Sequence, residues 1–258
     1  MISVIIPAYN EENAIEETIK QIKKVIKNYK GAEIIVVNDG STDNTREIAL
    51  KSEVTVIDNP KNMGYGYSLK RGIKEAKNEI IVITDADLTY PFDRVPEMLK
   101  IKEKGYDMVV GARSGKYYKE NIFKSFLRGL LKILVEFMAG KKIKDINSGL
   151  RIFDKSVVTK FMPRLCDTFS FTTSQTLAYM MNNYKVCYVD IPYYKRVGKT
   201  KVKLFKYSFV TLKYIIQAGI YYNPIKIFTL IMFLIIIIFI IIFIILICGG
   251  MVLWQEMY

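Results

Sequence analysis

One segment decides the fold of this chain, and it reads Ile80-Ile81-Val82-Ile83-Thr84-Asp85-Ala86-Asp87. Its short apolar run, rich in β-branched residues, predicts a buried strand. The two aspartates therefore lie where a strand ends, which is where ligands bind in an open α/β sheet. Neighbouring carboxylates repel each other unless one is protonated or a cation lies between them, so the pair favours Mg²⁺ or Mn²⁺. The alternative is a turn in which the aspartates cap the following helix.

The same sequence of strand and acidic loop occurs twice earlier in the chain. Residues 2–8 form an apolar run that leads into Tyr9-Asn10-Glu11-Glu12, and residues 33–38 lead into Asp39-Gly40-Ser41-Thr42-Asp43. Strands that alternate with helices are typical of a parallel sheet whose loops share one edge. We therefore predict an α/β domain in which three acidic loops converge on one crevice.

Three motifs in this order resemble the nucleotide-sugar-binding core of family-two glycosyltransferases, which have the GT-A fold. They are Pro7-Ala8-Tyr9-Asn10-Glu11-Glu12, Val37-Asn38-Asp39-Gly40-Ser41-Thr42-Asp43 and Asp85-Ala86-Asp87. More narrowly, the segment 85–91 followed by Gly111-Ala112-Arg113 is similar to the dolichyl-phosphate mannose synthases and related polyprenyl-phosphate glycosyltransferases. Over residues 1–205 the resemblance implies a Rossmann-like GT-A domain with a mostly parallel sheet.

The resemblance implies a site for a nucleotide-sugar donor and for Mg²⁺ or Mn²⁺. The metal ligands would be Asp85, Asp87 and Thr89, the last standing where the mannose synthases carry glutamine. Asp39 would bind the base or ribose, unless it only forms a turn with Gly40. Segment 59–66 is glycine-rich and precedes a helix, so it is either a phosphate-binding loop or a connecting turn. The implied nucleotide-sugar-binding residues are Pro7, Ala8, Tyr9, Glu11, Asp39, Asn62, Gly64, Asp85 and Ala86.

The resemblance also implies basic residues that bind a phosphate acceptor. With Asp87, the implied catalytic residues are Arg113, Arg128, Arg151, Arg196, Lys199 and Lys201. Residues 196–201 resemble a loop that closes over the site just before the membrane segment. Taken singly, each basic side chain is equally typical of a solvated surface or of a contact with lipid headgroups.

The sequence contains no histidine, which excludes Ser-His-Asp and Cys-His catalysis and histidine-bound zinc. A sugar hydroxyl would need a base to take its proton during transfer. A phosphate monoester needs none, because it is largely a dianion at neutral pH. We therefore predict an inverting enzyme that moves a hexose from a UDP- or GDP-linked sugar to dolichyl or another polyprenyl phosphate. No motif selects the sugar or the oligomeric state.

Two other functions involving a nucleotide sugar stay open. A glycosyltransferase acting on a sugar hydroxyl of a glycolipid or polysaccharide would use an acidic base, for which Asp145 and Asp167 are candidates. A non-catalytic nucleotide-sugar-binding membrane protein would keep the donor motifs and turn over no lipid phosphate. The two differ from the main hypothesis in the acceptor and in turnover, and not in the donor site.

A long apolar stretch near the end of the chain predicts a membrane anchor. Residues 227–248 contain no charged side chain, and about 22 residues rising 1.5 Å each span roughly 30 Å of hydrocarbon. We expect a GT-A domain over 1–205, an interfacial amphipathic helix over 206–224 and a transmembrane helix over 225–248. Residues 249–258 would be a short non-cytoplasmic tail or the start of a truncated second span. The N-terminus shows no signal peptide.

The charge pattern predicts orientation and partners. Residues 191–226 hold eight Lys and Arg and no Asp or Glu, whereas residues 249–258 hold no Lys or Arg, so the domain is expected on the cytoplasmic face. The net charge of +13 raises a nucleic-acid hypothesis, but no helix-turn-helix, zinc or RNP motif supports it, and anionic lipid headgroups are the better partner. The three cysteines lack metal or redox spacing. An apolar stripe over residues 122–138 is equally typical of a core helix and a membrane surface.

Overall fold

The computed structural model describes residues 1–115, 117, 122–198 and 204–256, with the backbone alone for 122–128, 204–207 and 248–256. Its strands are β1 (Ile2–Ala8), β2 (Glu33–Asn38), β3 (Thr55–Asp58), β4 (Ile80–Ile83), β5 (Met108–Ser114), β6 (Arg151–Asp154) and β7 (Val186–Pro192). These seven strands of the described part form one sheet, in the order β3-β2-β1-β4-β6-β5-β7.

Neighbouring strands are parallel except where β6 is involved. The predicted, mostly parallel α/β sheet is thereby confirmed, and β6 is an exception that the strand–helix alternation did not predict. In the antiparallel pair β4·β6, Ile83 lies opposite Arg151, so β6 begins beside the point where β4 ends. The loop that leads into β6 therefore shares an edge with the loops that follow β1, β2, β4 and β5.

Helices cover both faces of the sheet because its strands are apolar on both sides. Ile2, Val4 and Ile6 of β1 face one core, whereas Ile5 between them faces the other. The helices are α1 (Ile15–Ile26), α2 (Thr45–Lys51), α3 (Tyr65–Glu75), α4 (Val95–Lys102), α5 (Ile122–Ala139), α6 (Lys155–Phe161), α7 (Phe171–Met181), α8 (Leu204–Tyr222) and α9 (Pro224–Glu256), with single 3₁₀ turns at Phe92–Arg94 and Met162–Arg164. The sheet is thus the middle layer of a three-layer domain.

A third apolar cluster joins α5, α7, α8 and the start of α9. Val135 and Met138 of α5 are buried there against Ile215 of α8 and Ile227 of α9. Gly219 of α8 allows the close approach, because a Cβ atom at this position would collide with the side chains of Met138 and Ile227. The two C-terminal helices are therefore packed onto the domain at their junction.

Lys226 fixes the first turn of α9 to the end of α5. Its Nζ donates hydrogen bonds to the carbonyl oxygens of Phe137 and Met138, each at 3.0 Å. These carbonyls lie in the last turn of α5, where no further helical N–H can reach them and where a cation is favoured by the helix dipole. The junction between domain and α9 is accordingly held by charge as well as by apolar packing.

One helix of the described residues is long and apolar enough to cross a membrane. Its 24 residues Pro224–Ile247 are exposed in this structure rather than packed into a core. The helix continues to Glu256 beyond that window, and α8 begins at Leu204, two residues before the predicted start of the interfacial helix. The helix bounds alone do not test the predicted division into a GT-A domain, an interfacial helix and a transmembrane helix, which stays a prediction.

The apolar stripe on α5 has residues buried in the core and residues exposed on the surface, the two alternatives that the sequence left open. Val135 and Met138 are buried in the third cluster. Leu130, Ile133 and Phe137 lie on the other side of the helix and are exposed. The described part of α5 therefore contributes to the core with one side and presents an apolar surface with the other.

Candidate functional site

Backbone hydrogen bonds join the loops that follow β1 and β2. The Asp39 amide donates to the Ala8 carbonyl at 2.8 Å, just beyond the paired strands. The Glu11 amide donates to Thr45 Oγ1 at 2.7 Å, which ties the first loop to the first turn of α2. Of the predicted donor residues here, the buried ones are Pro7 and Ala8 and the partly exposed ones are Tyr9 and Glu11. The first two acidic loops thus form one rigid wall of the crevice.

Asp39 holds the glycine-rich segment against the end of β2. Its Oδ1 accepts hydrogen bonds from the Met63 amide (2.9 Å) and from Asn59 Nδ2 (2.7 Å), and its Oδ2 accepts one from the Gly64 amide (2.9 Å). Gly64 has a φ of +108°, which favours glycine at this turn. The predicted donor residues Asn62 and Gly64 are thereby brought next to Asp39, whose binding to a base or ribose stays a prediction.

Asp85 lies between the start of α3 and the loop before β6. Its Oδ1 accepts a hydrogen bond from Tyr65 Oη at 2.9 Å. A Cβ atom at Gly149 would lie 2.6 Å from the same oxygen, so only glycine leaves room for the carboxylate. Burial, together with the charge of Asp87, raises the pKa of Asp85 to about 7. The part of this shift that comes from Asp87 reflects repulsion between the two carboxylates, which a cation would offset.

Asp87 presents one carboxylate oxygen because Thr89 occupies the other. The Thr89 hydroxyl and amide both donate to Asp87 Oδ1, at 2.6 and 3.2 Å. Leu88 between them has a φ of +62°, a left-handed conformation that turns Thr89 back onto Asp87. Asp87 Oδ2 lies 3.3 Å from Arg196 Nη1. Thr89 thus orients Asp87, while binding of Thr89 to a metal ion stays a prediction, and Asp87 Oδ2 is the oxygen that contacts the Arg196 guanidinium.

Arg196 brings Glu11 and Asp87 together from opposite ends of the chain. Its Nη2 donates to Glu11 Oε1 at 2.7 Å while its Nη1 pairs with Asp87. The loops after β1 and β4 therefore meet at one guanidinium. The predicted donor residue Ala86, between the two aspartates, is buried, and its carbonyl accepts a hydrogen bond from Thr18 at 3.1 Å.

The residues at this point fit a divalent cation that is held in part by substrate. Within the described ranges, no three Cys, Asp or Glu side chains converge to hold a metal ion by themselves. Mg²⁺ is commonly bound by one or two carboxylates together with phosphate oxygens and waters. Asp87 Oδ2 already meets a cationic group, and Asp85 adds a second carboxylate two residues away. The donor set therefore suits Mg²⁺ or Mn²⁺ with a diphosphate.

Arg113 forms a buried ion pair at the end of β5. Its Nε and Nη2 donate to the two oxygens of Asp145 at 2.7 and 2.9 Å, and its guanidinium lies 5.3 Å from the ring centre of Tyr193. Burial alone would raise the pKa of Asp145, but Arg113 and hydrogen bonds outweigh it and hold that pKa below its usual value. Arg113 also lowers the pKa of Asp85, so the positive charge of Arg113 acts electrostatically on the acidic crevice.

Arg151 lies beneath the site rather than in it. Its side chain is fully buried and donates to the carbonyls of Ser148 (2.8 Å) and Ile146 (3.0 Å) and to Thr176 Oγ1 (2.9 Å). It therefore supports the loop whose Gly149 contacts Asp85. The side chain of Arg128 and residues Lys199 and Lys201 lie outside what the structure describes, so those three assignments stay predictions.

Tyr65, Gly149 and Tyr90 contribute to the site and were absent from the predicted set. Tyr65 binds Asp85, and Tyr90 Oη accepts a hydrogen bond from the Gly149 amide at 2.6 Å. The available signal was weak: Tyr65 is a large aromatic residue between two glycines, and Gly149 lies in a Ser-Gly-Leu-Arg segment. Their roles depend on contacts between residues distant in sequence.

Comparison with known proteins gives this arrangement a family. Residues 3–161, more than half of the chain, match the family described as Glycosyl transferase family 2. The chain belongs to this family. The match covers β1 to α6, and with them all three acidic loops, so the predicted resemblance is confirmed.

Two curated sugar transferases are similar to this chain over most of its length. A dolichyl-phosphate hexose transferase of Haloferax volcanii is 29% identical over 206 residues, covering 79% of this chain and 87% of that protein. An undecaprenyl-phosphate 4-deoxy-4-formamido-L-arabinose transferase of Yersinia enterocolitica is 26% identical over 193 residues, covering 67% of this chain and 58% of that protein. The chain thus spans little more than half of the second relative.

Solved structures with the same fold include glucosyl-3-phosphoglycerate synthase from Mycobacterium tuberculosis. Its complex with Mn²⁺, UDP-glucose and phosphoglyceric acid has a TM-score of 0.69 at 21% identity, covering 84% of this chain and 79% of that one. Its complex with Mg²⁺ and UDP has a TM-score of 0.68 at 21% identity, over the same shares of the two chains. At this identity the likeness establishes the GT-A fold of the family 2 domain.

We expect Asp85→Asn to stabilise the protein at pH 8. Because folding raises the pKa of Asp85 to about 7, its ionisation lowers stability progressively between about pH 4 and pH 7, the full loss is present above pH 7, and there is none well below pH 4. Asparagine keeps the acceptor for Tyr65 and removes the charge. The gain has an upper limit of about 4 kcal/mol at pH 8, at about 1.4 kcal/mol per pKa unit, and shrinks toward pH 5. Thermal unfolding in EDTA at both pH values measures it, and equal Tm values at pH 8 would contradict it.

Proposed function

We propose that this protein is a membrane-bound, inverting glycosyltransferase that moves a hexose from a UDP- or GDP-linked sugar to dolichyl or another polyprenyl phosphate. The observation that carries the choice of acceptor is the Arg113–Asp145 pair. Asp145 is the first candidate base for a hydroxyl acceptor, yet it is buried, bound through both oxygens to Arg113 and low in pKa. A phosphate dianion needs no such base.

The second candidate base is equally unsuited to proton transfer. Asp167 is exposed and forms an ion pair with Lys70 at 2.7 Å. Its carboxylate oxygen is therefore engaged by the Lys70 ammonium group and not free to accept a proton from an acceptor hydroxyl. Similarity to a dolichyl-phosphate hexose transferase over 79% of the chain further supports a lipid-phosphate acceptor.

The donor is proposed to lie between the loops after β1 and β2 and the aspartates after β4. Asp39 and the segment it holds would bind the nucleoside, together with Tyr9 and Glu11 of the adjoining loop after β1. An acceptor phosphate oxygen attacks the anomeric carbon, a new C–O bond forms and the bond to the nucleoside diphosphate breaks, so the configuration inverts. Asp87 and Asp85 would hold Mg²⁺ or Mn²⁺, which offsets the charge of the departing diphosphate.

The chain's own basic groups are proposed to bind the acceptor phosphate. Arg113 lies at the end of β5 within electrostatic reach of Asp85. Its guanidinium is held by Asp145 and Tyr193, so it is positioned before an acceptor arrives. Arg151 would act as a positioning residue that fixes the loop carrying Gly149, and Arg196 as a second phosphate-binding group.

Helix α9 is proposed to anchor the enzyme with its domain on the cytoplasmic face. Leu130 and Ile133 of α5 and Phe209 of α8 are exposed apolar residues on the two helices that pack against the start of α9. A polyprenyl phosphate keeps its phosphate at the headgroup level of a bilayer. An amphipathic surface beside the span would place the crevice at that level.

A transfer assay tests the proposal directly. The full chain in detergent is given Mn²⁺ or Mg²⁺, one radiolabelled UDP- or GDP-sugar at a time, and polyprenyl phosphate, and label entering the organic phase is counted. We expect metal-dependent transfer from one donor. Transfer only to a glycolipid or oligosaccharide hydroxyl would overturn the acceptor, and nucleotide-sugar binding without transfer to any acceptor would favour a non-catalytic role.

A further inference from the structure

The Arg196 guanidinium occupies the position at which a cation meets Asp87. Nη1 lies 3.3 Å from Asp87 Oδ2, and Nη2 lies 2.7 Å from Glu11 Oε1. Both carboxylates are nearly buried, with 4% and 10% of their side-chain surface exposed. Two buried carboxylates from separate loops thus share one positive charge, which offsets the repulsion between them.

Backbone hydrogen bonds hold the segment that carries Arg196, so the position of the guanidinium is fixed by the main chain as well as by its own ion pairs. Residues 193–198, which we call the strap, follow β7 and run across the acidic crevice. The Tyr194 amide donates to the Thr89 carbonyl at 2.9 Å, and the Val197 amide donates to the Asp87 carbonyl at 3.2 Å. Gly198 has a φ of +93° and lies against Glu11, where a Cβ atom would be 3.6 Å from Oε2. The strap is therefore docked on the loop that carries the proposed metal ligands.

Arg196 and a divalent cation compete for the same oxygen atom. Asp87 Oδ1 is occupied by Thr89, which leaves Oδ2 as the ligand atom. A Mg²⁺ bound to that oxygen would lie close to the guanidinium of Arg196, whose side chain is 32% exposed, and beside the nearly buried carboxylates of Asp87 and Glu11. Like charges at such a distance repel strongly where solvent cannot screen them. One of the two cations must leave when the other binds.

We propose that Arg196 is the resting counter-cation of the metal site and that a divalent cation displaces it, releasing the strap from Asp87 and Glu11. The inference rests on the proposed metal site and not on the identity of the acceptor. It also sets an order of events. While Arg196 is paired with two carboxylates it is unavailable to an acceptor phosphate, so metal-bound donor must precede the acceptor.

The affinity for Mn²⁺ shows whether the metal ion displaces Arg196 or binds beside it. The full chain in detergent is titrated with Mn²⁺ alone at pH 8, and free Mn²⁺ is followed by electron paramagnetic resonance. Removing the competitor in Arg196→Gln is expected to lower the Kd for Mn²⁺ about 10-fold, equivalent to about 1.4 kcal/mol. The matched control is Lys195→Gln, which removes the same charge from an exposed neighbouring residue of the strap and should change Kd less than about 2-fold, because exposed charges are screened.

Three results of this titration would count against the proposal. An unchanged or weaker Mn²⁺ affinity in Arg196→Gln overturns the exchange, as does an equal gain in Lys195→Gln, which would indicate a general charge effect. Absence of Mn²⁺ binding in all three proteins, in repeat titrations with UDP or GDP present, overturns the metal site itself and the donor chemistry proposed above. If Mn²⁺ displaces Arg196 but no sugar is transferred to polyprenyl phosphate, this inference stands and the proposed acceptor is wrong.

Limited proteolysis reports on the strap independently of affinity. Trypsin cleaves after Lys195 and Arg196, and mass spectrometry identifies the cut. In the unmodified protein, Mn²⁺ is expected to accelerate cleavage after these residues at least about 3-fold, because a released segment adapts to a protease more readily than a docked one. In Arg196→Gln, cleavage after Lys195 should be fast with and without Mn²⁺. Slower or unchanged cleavage of the unmodified protein on adding Mn²⁺ would overturn release of the strap.

Discussion

Asp87→Asn is expected to lower sugar transfer about 1,000-fold, which corresponds to about 4 kcal/mol of transition-state stabilisation. The substitution keeps the oxygen that accepts from the Thr89 hydroxyl and amide, so the turn through Leu88 is preserved. It removes the charge from the one oxygen that meets a cation. Initial rates of label transfer at saturating Mn²⁺, beside thermal unfolding of the same samples, measure the two effects separately.

Asp93→Asn provides a matched control for Asp87→Asn. Asp93 is an exposed aspartate six residues further along the chain, in the 3₁₀ turn that follows the acidic loop. We expect it to leave the transfer rate within about 2-fold of the unmodified protein, as is usual for a surface carboxylate remote from a site. Transfer by Asp87→Asn at more than about a tenth of the normal rate would remove Asp87 from the metal site.

Arg113→Met is expected to destabilise the protein by about 3–5 kcal/mol, because it leaves Asp145 buried and charged without its partner. The pair is bidentate, and the two side chains expose 10% and 3% of their surfaces. For a chain of this size the loss corresponds to a fall in Tm of roughly 10 °C. Arg46→Met is the control, because Arg46 Nε donates to both oxygens of Asp58 at 3.0 Å in a pair with 46% and 40% exposure, and such exposed pairs contribute about 1 kcal/mol or less.

The double variant Arg113→Met with Asp145→Asn separates folding from catalysis. Neutralising Asp145 removes the unpaired buried charge, so most of the lost stability should return. Transfer should nevertheless stay at least about 100-fold below normal, since the proposed phosphate-binding cation is absent. Recovery of both stability and transfer in the double variant would show that Arg113 serves only the fold.

The sheet was predictable because its signals are local. Apolar runs of four to seven residues followed by polar loops mark β1, β2 and β4, and their spacing leaves room for the helices between them. Strand β6 carries four residues with no signal of direction. Its antiparallel pairing with β4 and β5 is set by the path of the chain after α5, which is a tertiary property.

The site was predictable where a motif lies within one loop and unpredictable where loops meet. Asp85 and Asp87 follow β4 as expected, but the Glu11–Arg196 contact joins residues 185 positions apart. Arg151 shows a second limit. Leu150 and Ile152 beside it face one core, so Arg151 points into the other face of a sheet that is apolar on both sides. No alternation of apolar and polar residues in β6 distinguished that buried position from an exposed one.

The Lys226 junction determines how the domain and α9 move together. A helix that is capped onto α5 and packed against Gly219 cannot act as a loose tether, so tilting α9 tilts the sheet with it. If the proposed function is correct, the distance between the crevice and the hydrocarbon core of the membrane is then set by the protein and not by the lipid. The acceptor must then place its phosphate at this distance from the hydrocarbon core, and its isoprene units serve only to keep the lipid in the membrane.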